Sequence, residues 1–417
     1  MLLRIQKQNN KALLCIVILF VTVITTDTVY MGTNLNVLFQ KIPQILLAGI
    51  TVFLLLFSCL IGKTFRAERL AFLLVLNLCI VTTAVCFVDF RTGYLFKCIL
   101  VTFSFFVTQL FDLKTFAQIF NKVIVFLAAV SLFCFVAEAV NHNVFSFAPR
   151  IYNSVGYGFR NLFLYVQSDE GFALRNYGIY REPGVYQMFL IVALIFELYC
   201  FERPNLKRMV VYITTLLTTL SSTGLIALGI WGLLAYVKRN TISKKVKVGM
   251  IFLGGLIFIL VISLFPSICI ELAEKVFGKF SLENESFLAR WGSIVLNLKM
   301  WLEHPVFGVG MTNAGSLYEQ ESVQVFGTLI RDNTNTLLVQ FAVHGTIFGL
   351  LWLSGFIKGA RALGKTQMER CFIFLIVGIL SIGENVTFSP FGNVLMMYGL
   401  MYFNSNGTVG NEENPDE

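Results

Sequence analysis

Apolar runs of bilayer-spanning length recur along this chain and leave few ways to fold it. A helix rises about 1.5 Å per residue, so about 17 to 25 residues cross a hydrocarbon layer about 30 Å thick. Runs of that size lie near 12–30, 43–62, 70–89, 94–111, 119–140, 184–201, 249–270 and 336–357. Charged residues are 13% of the 417 and hydrophobic residues 56%, against about 25% charged in an ordinary soluble domain. The expected class is an all-α, polytopic transmembrane helical bundle. It forms one integral membrane domain over 1–404, followed by a disordered cytoplasmic tail at 405–417 whose composition is acidic and solvating. The lipid bilayer is therefore an expected partner. The net charge of +8 does not point to nucleic acid, because the basic residues fall in short clusters between apolar runs, where they anchor cytoplasmic loops.

Two stretches break the length rule. The segment 209–237 is long for one upright span and short for two, and it is flanked by the basic stretches "ERPNLKR" and "KRNTISKKVK". Basic loops stay in the cytoplasm, so the chain is expected to enter and return as a hairpin of short helices. Its turn lies around Thr218, Thr219, Ser221, Ser222, Thr223 and Gly224. The alternative is one tilted helix, which would reverse everything downstream. The segment 371–403 breaks at Glu384-Asn385 and Pro390 and reads as a second such hairpin. The total is about 12 membrane segments, with both termini cytoplasmic. "MLLRIQKQNNK" and the apolar run after it resemble the start of a signal peptide, but no small-residue cleavage site follows, so a retained first span is expected. The nine cysteines lie in or beside apolar runs without ligand spacing and read as core filler.

With this threading the clusters Arg4/Lys7/Lys11, Lys63/Arg66/Arg69, Lys114/Lys122 and Lys358/Arg361/Lys365/Arg370 share one side. Two larger extracytoplasmic loops remain on the other, 141–183 and 271–335. The first carries Arg150, Arg160, Arg175 and Arg181, which the orientation rule does not explain. Arginine forks onto phosphate or carboxylate, and Tyr152, Tyr157, Phe159, Tyr177 and Tyr180 offer faces for sugars. Equally, these arginines suit local pairs with Asp169, Glu170 or Glu182. Arg181 stands apart, because "YREPGVYQ" places it at the mouth of an apolar helix, with Pro183 and Gly184 expected to bend the chain there.

In the second loop, helical spacing gathers Phe287, Trp291, Ile294, Val295, Leu298 and Leu302 on one face. It gathers Arg290, Ser293, Asn297 and His304 on another, with Trp301 beside them. Pro305 ends this helix and Gly308 and Gly310 turn the chain. Such a helix packs on the bundle or lies on the membrane; in a functional reading Arg290 and His304 face a shared cleft. Asp332 and Asn333, or Thr334 and Asn335, suit the cap of the next span, or would present acceptors to sugar hydroxyls. There is no HExxH, Cys pair, Walker or dinucleotide glycine pattern. The chemistry is expected to use arginine electrostatics and a side-chain base, with no metal and no cofactor.

Three stretches together resemble one family: "YREPGVYQ" at 180–187, "RWGSIVLNLKMWLEHPVFGVG" at 290–310 and "DNTNTLLVQFAVHGTIFG" at 332–349. They are similar to the O-antigen and capsular polysaccharide polymerases (Wzy type) and the related O-antigen ligases, and "LLTTLSSTGLIALGI" at 216–230 resembles the Thr/Ser-Gly helical pair of that family. The resemblance implies a metal-independent glycosyltransferase in the bacterial cytoplasmic membrane. Its donor would be an undecaprenyl-diphosphate-linked oligosaccharide, with flippase and chain-length regulator proteins as neighbours. It carries catalytic roles onto Arg181 and Arg290 as a clamp for the diphosphate. The base would be Glu182, Asp332 or His304, though Glu182 would equally serve to orient Arg181. Arg160, Arg175, Tyr180, Asn297, Trp301, Asn333 and Asn335 would bind substrate. Where members carry His-Asn or Asp-Asn before the glycine matched by Gly345, this chain has Thr334-Asn335, with Asp332-Asn333 two residues earlier. A His is typical of the ligases, so the polymerase is the leading expectation and a ligase the first alternative. A transporter or flippase of lipid-linked oligosaccharide is the second, and a non-catalytic scaffold the third.

Overall fold

The computed structural model describes residues 2–32, 42–152, 156–169, 174–238 and 285–402. The expected span at 249–270 and the start of the second loop lie outside the described residues. The helices are α1 (Leu2–Ile24), the single turn α2 (Val29–Gly32), α3 (Ile42–Leu60), α4 (Ala67–Cys86), α5 (Thr92–Leu110) and α6 (Leu113–Val140). After the first loop come α7 (Pro183–Tyr199), α8 (Leu206–Thr219) and α9 (Ser222–Lys238). We number the remainder α10 (Glu285–Glu303), α11 (Gly310–Phe326), α12 (Thr336–Leu363), α13 (Gln367–Gly383) and α14 (Pro390–Tyr402).

Among the described residues four helices, α4, α5, α6 and α12, are long and apolar enough to cross a membrane. Shorter apolar helical stretches run over Leu13–Ile24, Gln44–Leu60, Pro183–Tyr199 and Ser222–Tyr236. Large apolar side chains stand exposed on the outer helices, such as Leu74 and Leu78 on α4 and Phe133 and Val136 on α6. By contrast α7 is buried from Pro183 through Leu198, as expected of a helix apolar on every side. Its Phe189 stacks on Phe391 of α14 at 4.2 Å between ring centroids, and Phe391 stacks on Phe120 of α6 at 5.4 Å. These rings form the centre of the core.

The stretch 209–237 folds as a helical pair. Leu220, in the left-handed region at φ 50°, ends α8. Arg175 Nε donates to the Thr219 carbonyl at 3.0 Å and Asn176 N to the Thr218 carbonyl at 2.9 Å, so the turn lies beside the first loop. At the far end of α9, Lys238 Nζ donates to the Leu198 carbonyl near the end of α7. The arms therefore run in opposite directions, each leaning on α7 more than on the other, and a single tilted helix is ruled out. The expected break at Glu384-Asn385 is also present, between α13 and α14.

Two features were not foreseen. The first loop carries a three-stranded antiparallel sheet, β1 (Arg150–Tyr152), β2 (Gly158–Asn161) and β3 (Val166–Ser168), in that order. And α12 is broken in its middle, where Gly345 has φ 82° and ψ −175°. The turn after α10 fills this break: Val309 N donates to the Ala342 carbonyl and Thr346 N to the Pro305 carbonyl, both at 2.8 Å. A Cβ on Gly345 would overlap the Val306 carbonyl, and one on Gly308 the Val343 carbonyl. Irregular backbone at this depth is tolerated because protein covers it.

Candidate functional site

The site is built where α1, α7, α10, α12 and α13 reach the same end of the bundle as the sheet. After α1 the chain pairs antiparallel with the residues before α7: Val29 N donates to the Ile179 carbonyl at 3.1 Å, Thr28 bridges Tyr180, and Arg181 N donates to the Asp27 carbonyl at 3.3 Å. This pairing sets Asp27 against Arg181, whose Nε donates to Asp27 Oδ1 at 3.0 Å while Nη2 reaches the same oxygen. The helix then starts at once, with Pro183 in its first turn, where a missing N–H costs nothing. Gly184 is helical and makes no bend, contrary to expectation. Its role is clearance, because a Cβ there would overlap Oε1 of Glu384.

Glu384 and Glu182 form a hydrogen-bonded carboxyl pair. Glu384 is buried, and burial, then the charges of Glu182 and Asp27, push its pKa well up against the opposing pull of Arg290. Glu182 is also pushed up, first by desolvation and then by Asp27 and Asp332, with Arg181 opposing. Yet its side chain is exposed. Solvent at that exposed position screens the charges around it, so the upward push on Glu182 is weaker than on the buried Glu384. Two carboxylates in hydrogen-bond contact cannot both ionise freely, and the upward push is the stronger on the buried Glu384.

Arg290, from a separate segment, donates through Nη1 to the Ser286 carbonyl at 2.9 Å and stands within electrostatic reach of Glu384. Its Nε is buried without a hydrogen-bond partner among the described residues. Arg181 and Arg290 thus border one carboxyl cluster, made of Asp27, Glu182, Asp332 and Glu384. The stretch 332–336 stitches the cluster to the break before α14. Thr334 Oγ1 donates to the Ile382 carbonyl at 2.9 Å, Asn385 Nδ2 to the Asn333 carbonyl at 3.0 Å, Thr336 Oγ1 to the Glu384 carbonyl, and Val386 N to Thr336 Oγ1 at 2.9 Å. From beneath, Lys97 Nζ donates to the Thr387 carbonyl at 2.7 Å, with its ammonium 4.8 Å from the Trp352 ring centre.

Several expected site residues serve elsewhere. His304 shares a face with Arg290 but lies past the end of α10, exposed, about 21 Å along the axis; it does not join the carboxyl cluster. Arg160 is held in the sheet, where Asp169 accepts from its Nε at 2.8 Å and from Arg150 Nε at 2.7 Å. Local pairing is therefore the right reading for those two. Arg175 caps α8, as described above. Tyr180 is fully buried, stacked on Phe189 at 4.9 Å, so it offers no face to a sugar. Asn297 and Asn333 form a reciprocal amide pair at 2.9 and 3.0 Å that ties α10 to the 332–336 stretch. Trp301 Nε1 donates to Thr346 Oγ1 at 2.9 Å and steadies the break in α12. Asn335 caps α12 by accepting from Leu338 N at 2.8 Å.

Asp27 and Glu384 are the members that sequence reasoning missed. The signal for Glu384 was a carboxylate between two short apolar helices, where burial is costly without a partner; for Asp27 there was none. A depression of about 350 Å³ at the opposite end, lined by Asp112, Lys114, Tyr199, Glu202 and Leu363, is a different feature, and its Lys114 and Glu202 pair with each other at 3.5 Å. No model of a protein family matches the sequence, and no curated protein matches it.

Proposed function

We propose that the chain is a polysaccharide polymerase, joining undecaprenyl-diphosphate-linked oligosaccharide units at the outer face of the bacterial cytoplasmic membrane. The observation that carries this reading is that Arg181, paired with Asp27 beside Glu182, and Arg290, acting on Glu384, come from segments over a hundred residues apart and border one carboxyl cluster. The reading includes a twelve-span threading with both termini inside, and places the cluster outside. The donor's diphosphate lies against the two guanidinium groups. Asp27 engages Nε and Nη2 of Arg181, and the remaining N–H donors are left for an oxyanion. An acceptor hydroxyl oxygen bonds to the anomeric carbon, the bond from that carbon to the diphosphate oxygen breaks, and the diphosphate leaves with the electron pair. Fixed donors aimed at such developing charge contribute several kcal/mol, roughly 10²–10³ in rate for each. Glu182, exposed beside Arg181, takes the hydroxyl proton; His304 is too distant and Asp332 is the second carboxylate at hand.

The charges deepest in the helices weigh against a transporter. Glu138 accepts from Tyr165 Oη at 2.6 Å, Glu197 accepts from Arg208 at 2.8 Å and Asn121 at 2.9 Å, and Lys97 ties down the Thr387 carbonyl. Each has a structural partner. The test is purified protein incubated with a defined undecaprenyl-diphosphate repeat unit. A ladder of products is expected. Transfer only onto a different acceptor would make the protein a ligase, and lipid movement between leaflets without new bonds a flippase. Full function with Lys at both 181 and 290 would make it a scaffold.

A further inference from the structure

We propose that Glu182 and Glu384 work as one unit sharing a single proton, with Glu384 as its holder and Glu182 as the base; this rests on the polymerase reading above. The geometry is deliberate on both sides of the pair. On α7, glycine at 184 removes the one atom that would displace Glu384 Oε1. On the other side, Thr336 accepts from Val386 N and donates to the Glu384 carbonyl, and Asn385 is bound to the Asn333 carbonyl, so the backbone carrying Glu384 is held from 333 to 336. The motif that departs from the family's pattern thereby acquires a job: it positions a carboxyl group that lies outside the motif. Arg290 acts on Glu384 from α10, and its Nε has no hydrogen-bond partner among the described residues.

The charged groups facing the pair are Asp27 after α1, Arg181 before α7, Arg290 on α10 and Asp332 before α12. Asp27 and Asp332 therefore add to the negative field, and the two arginines alone oppose the acids. Were both glutamates ionised, one more negative charge would oppose the diphosphate. With one proton held by Glu384 that charge is absent, and Glu182 is still free to accept. In the reaction the acceptor O–H proton moves to Glu182 as its oxygen bonds to the anomeric carbon and the diphosphate departs. Glu182 then releases the proton to the water that reaches its exposed side chain, and the pair returns to its starting state.

Two measurements test this. Infrared difference spectra of purified wild-type protein against Glu384→Gln at neutral pH should show a protonated carboxyl band that the variant lacks; its absence overturns the shared proton, whatever the activity. Polymer formation by wild type should rise with pH as Glu182 ionises and fall at higher pH as the held proton is lost. Glu384→Gln, a neutral donor of the same shape, should keep the rise and lose the fall. A fall that persists in Glu384→Gln overturns the proposal while leaving the polymerase reading intact. If Glu384→Gln fails to insert, Glu182→Gln replaces it: donor binding is retained, turnover is lost, and the acid band shifts as Glu384 loses its partner. An unshifted band overturns the pairing. A wild-type protein that shows the band but forms no glycosidic bond overturns the polymerase reading alone.

Discussion

Arg181 owes its position to Asp27, which lies 154 positions away in the chain. Replacing Arg181 with Ala should lower polymer formation by roughly 10²–10³-fold, and Lys should restore little, since an ammonium cannot fork onto two oxygens. Asp27→Asn keeps the size but weakens a charge-assisted bond worth roughly 1.5–3 kcal/mol, so a loss of about tenfold or somewhat more is expected from initial rates of ladder growth. Gly184→Ala should lose activity with normal insertion, because the added methyl displaces Glu384 and leaves the arginines in place. The pair also has a stability signature. The native state raises the pKa of Glu384 above the ordinary 4.5, so it holds a proton that the unfolded chain releases. Stability therefore falls as pH rises from about 4.5 through the folded value. Thermal unfolding in detergent across that range should show the decline, and Glu384→Gln should flatten it. Arg181 drew attention in the sequence by standing at the mouth of an apolar helix on the outer side, and Arg290 by its helical face and by the family resemblance. Asp27 did not, since a lone Asp after a first span looks like any polar end, and its meaning comes from a pairing across more than a hundred residues.

The helices were legible to the extent that their physics is local. Hydropathy located the runs, the basic flanks announced the hairpin at 209–237, and Glu384-Asn385 with Pro390 announced the break before α14. The break at Gly345 was hidden, since 336–357 reads as one predominantly apolar run and a glycine inside a span is common. Its cause is tertiary: the turn at 305–309 donates and accepts in place of the helix's own ladder. The β-strands of the first loop escaped notice because segments of three or four residues carry too little alternation to read. Gly345→Ala is expected to destabilise strongly, combining a left-handed backbone at φ 82° with overlap on the Val306 carbonyl. Such incompatible sites cost more than about 1 kcal/mol. Gly229→Ala on α9, where nothing lies near the added atom, should leave thermal stability unchanged or slightly raised, and comparing the two in one unfolding assay separates the demands of the Gly345 site from the general effect of an added methyl group.

Across the molecule the two ends differ in chemistry. Lys63, Arg69, Lys114, Arg208 and Lys238 gather at one end, bonded to carbonyls, Gln109, Glu197 and Glu202, while the sheet and the carboxyl cluster occupy the other. Cysteines placed singly at 220 and 203, in a background without the exposed native ones, should therefore react with a membrane-impermeant maleimide from opposite faces: Leu220→Cys in intact cells and Arg203→Cys only after permeabilisation. Labelling of both from the same face would overturn the threading. The lengths of the helices matter here too. Helix α6 has 28 residues, whereas α8 has 14 and α9 has 17. At about 1.5 Å per residue the contrast is roughly 42 Å against 21–26 Å. On the polymerase reading the short pair α8 and α9, with Val210, Leu217, Leu225 and Leu233 exposed, is a low sill beside the taller α6. A carrier lipid drifting in the plane of the membrane crosses it with its tail still among its neighbours, and only the sugar it bears has to stand up into water.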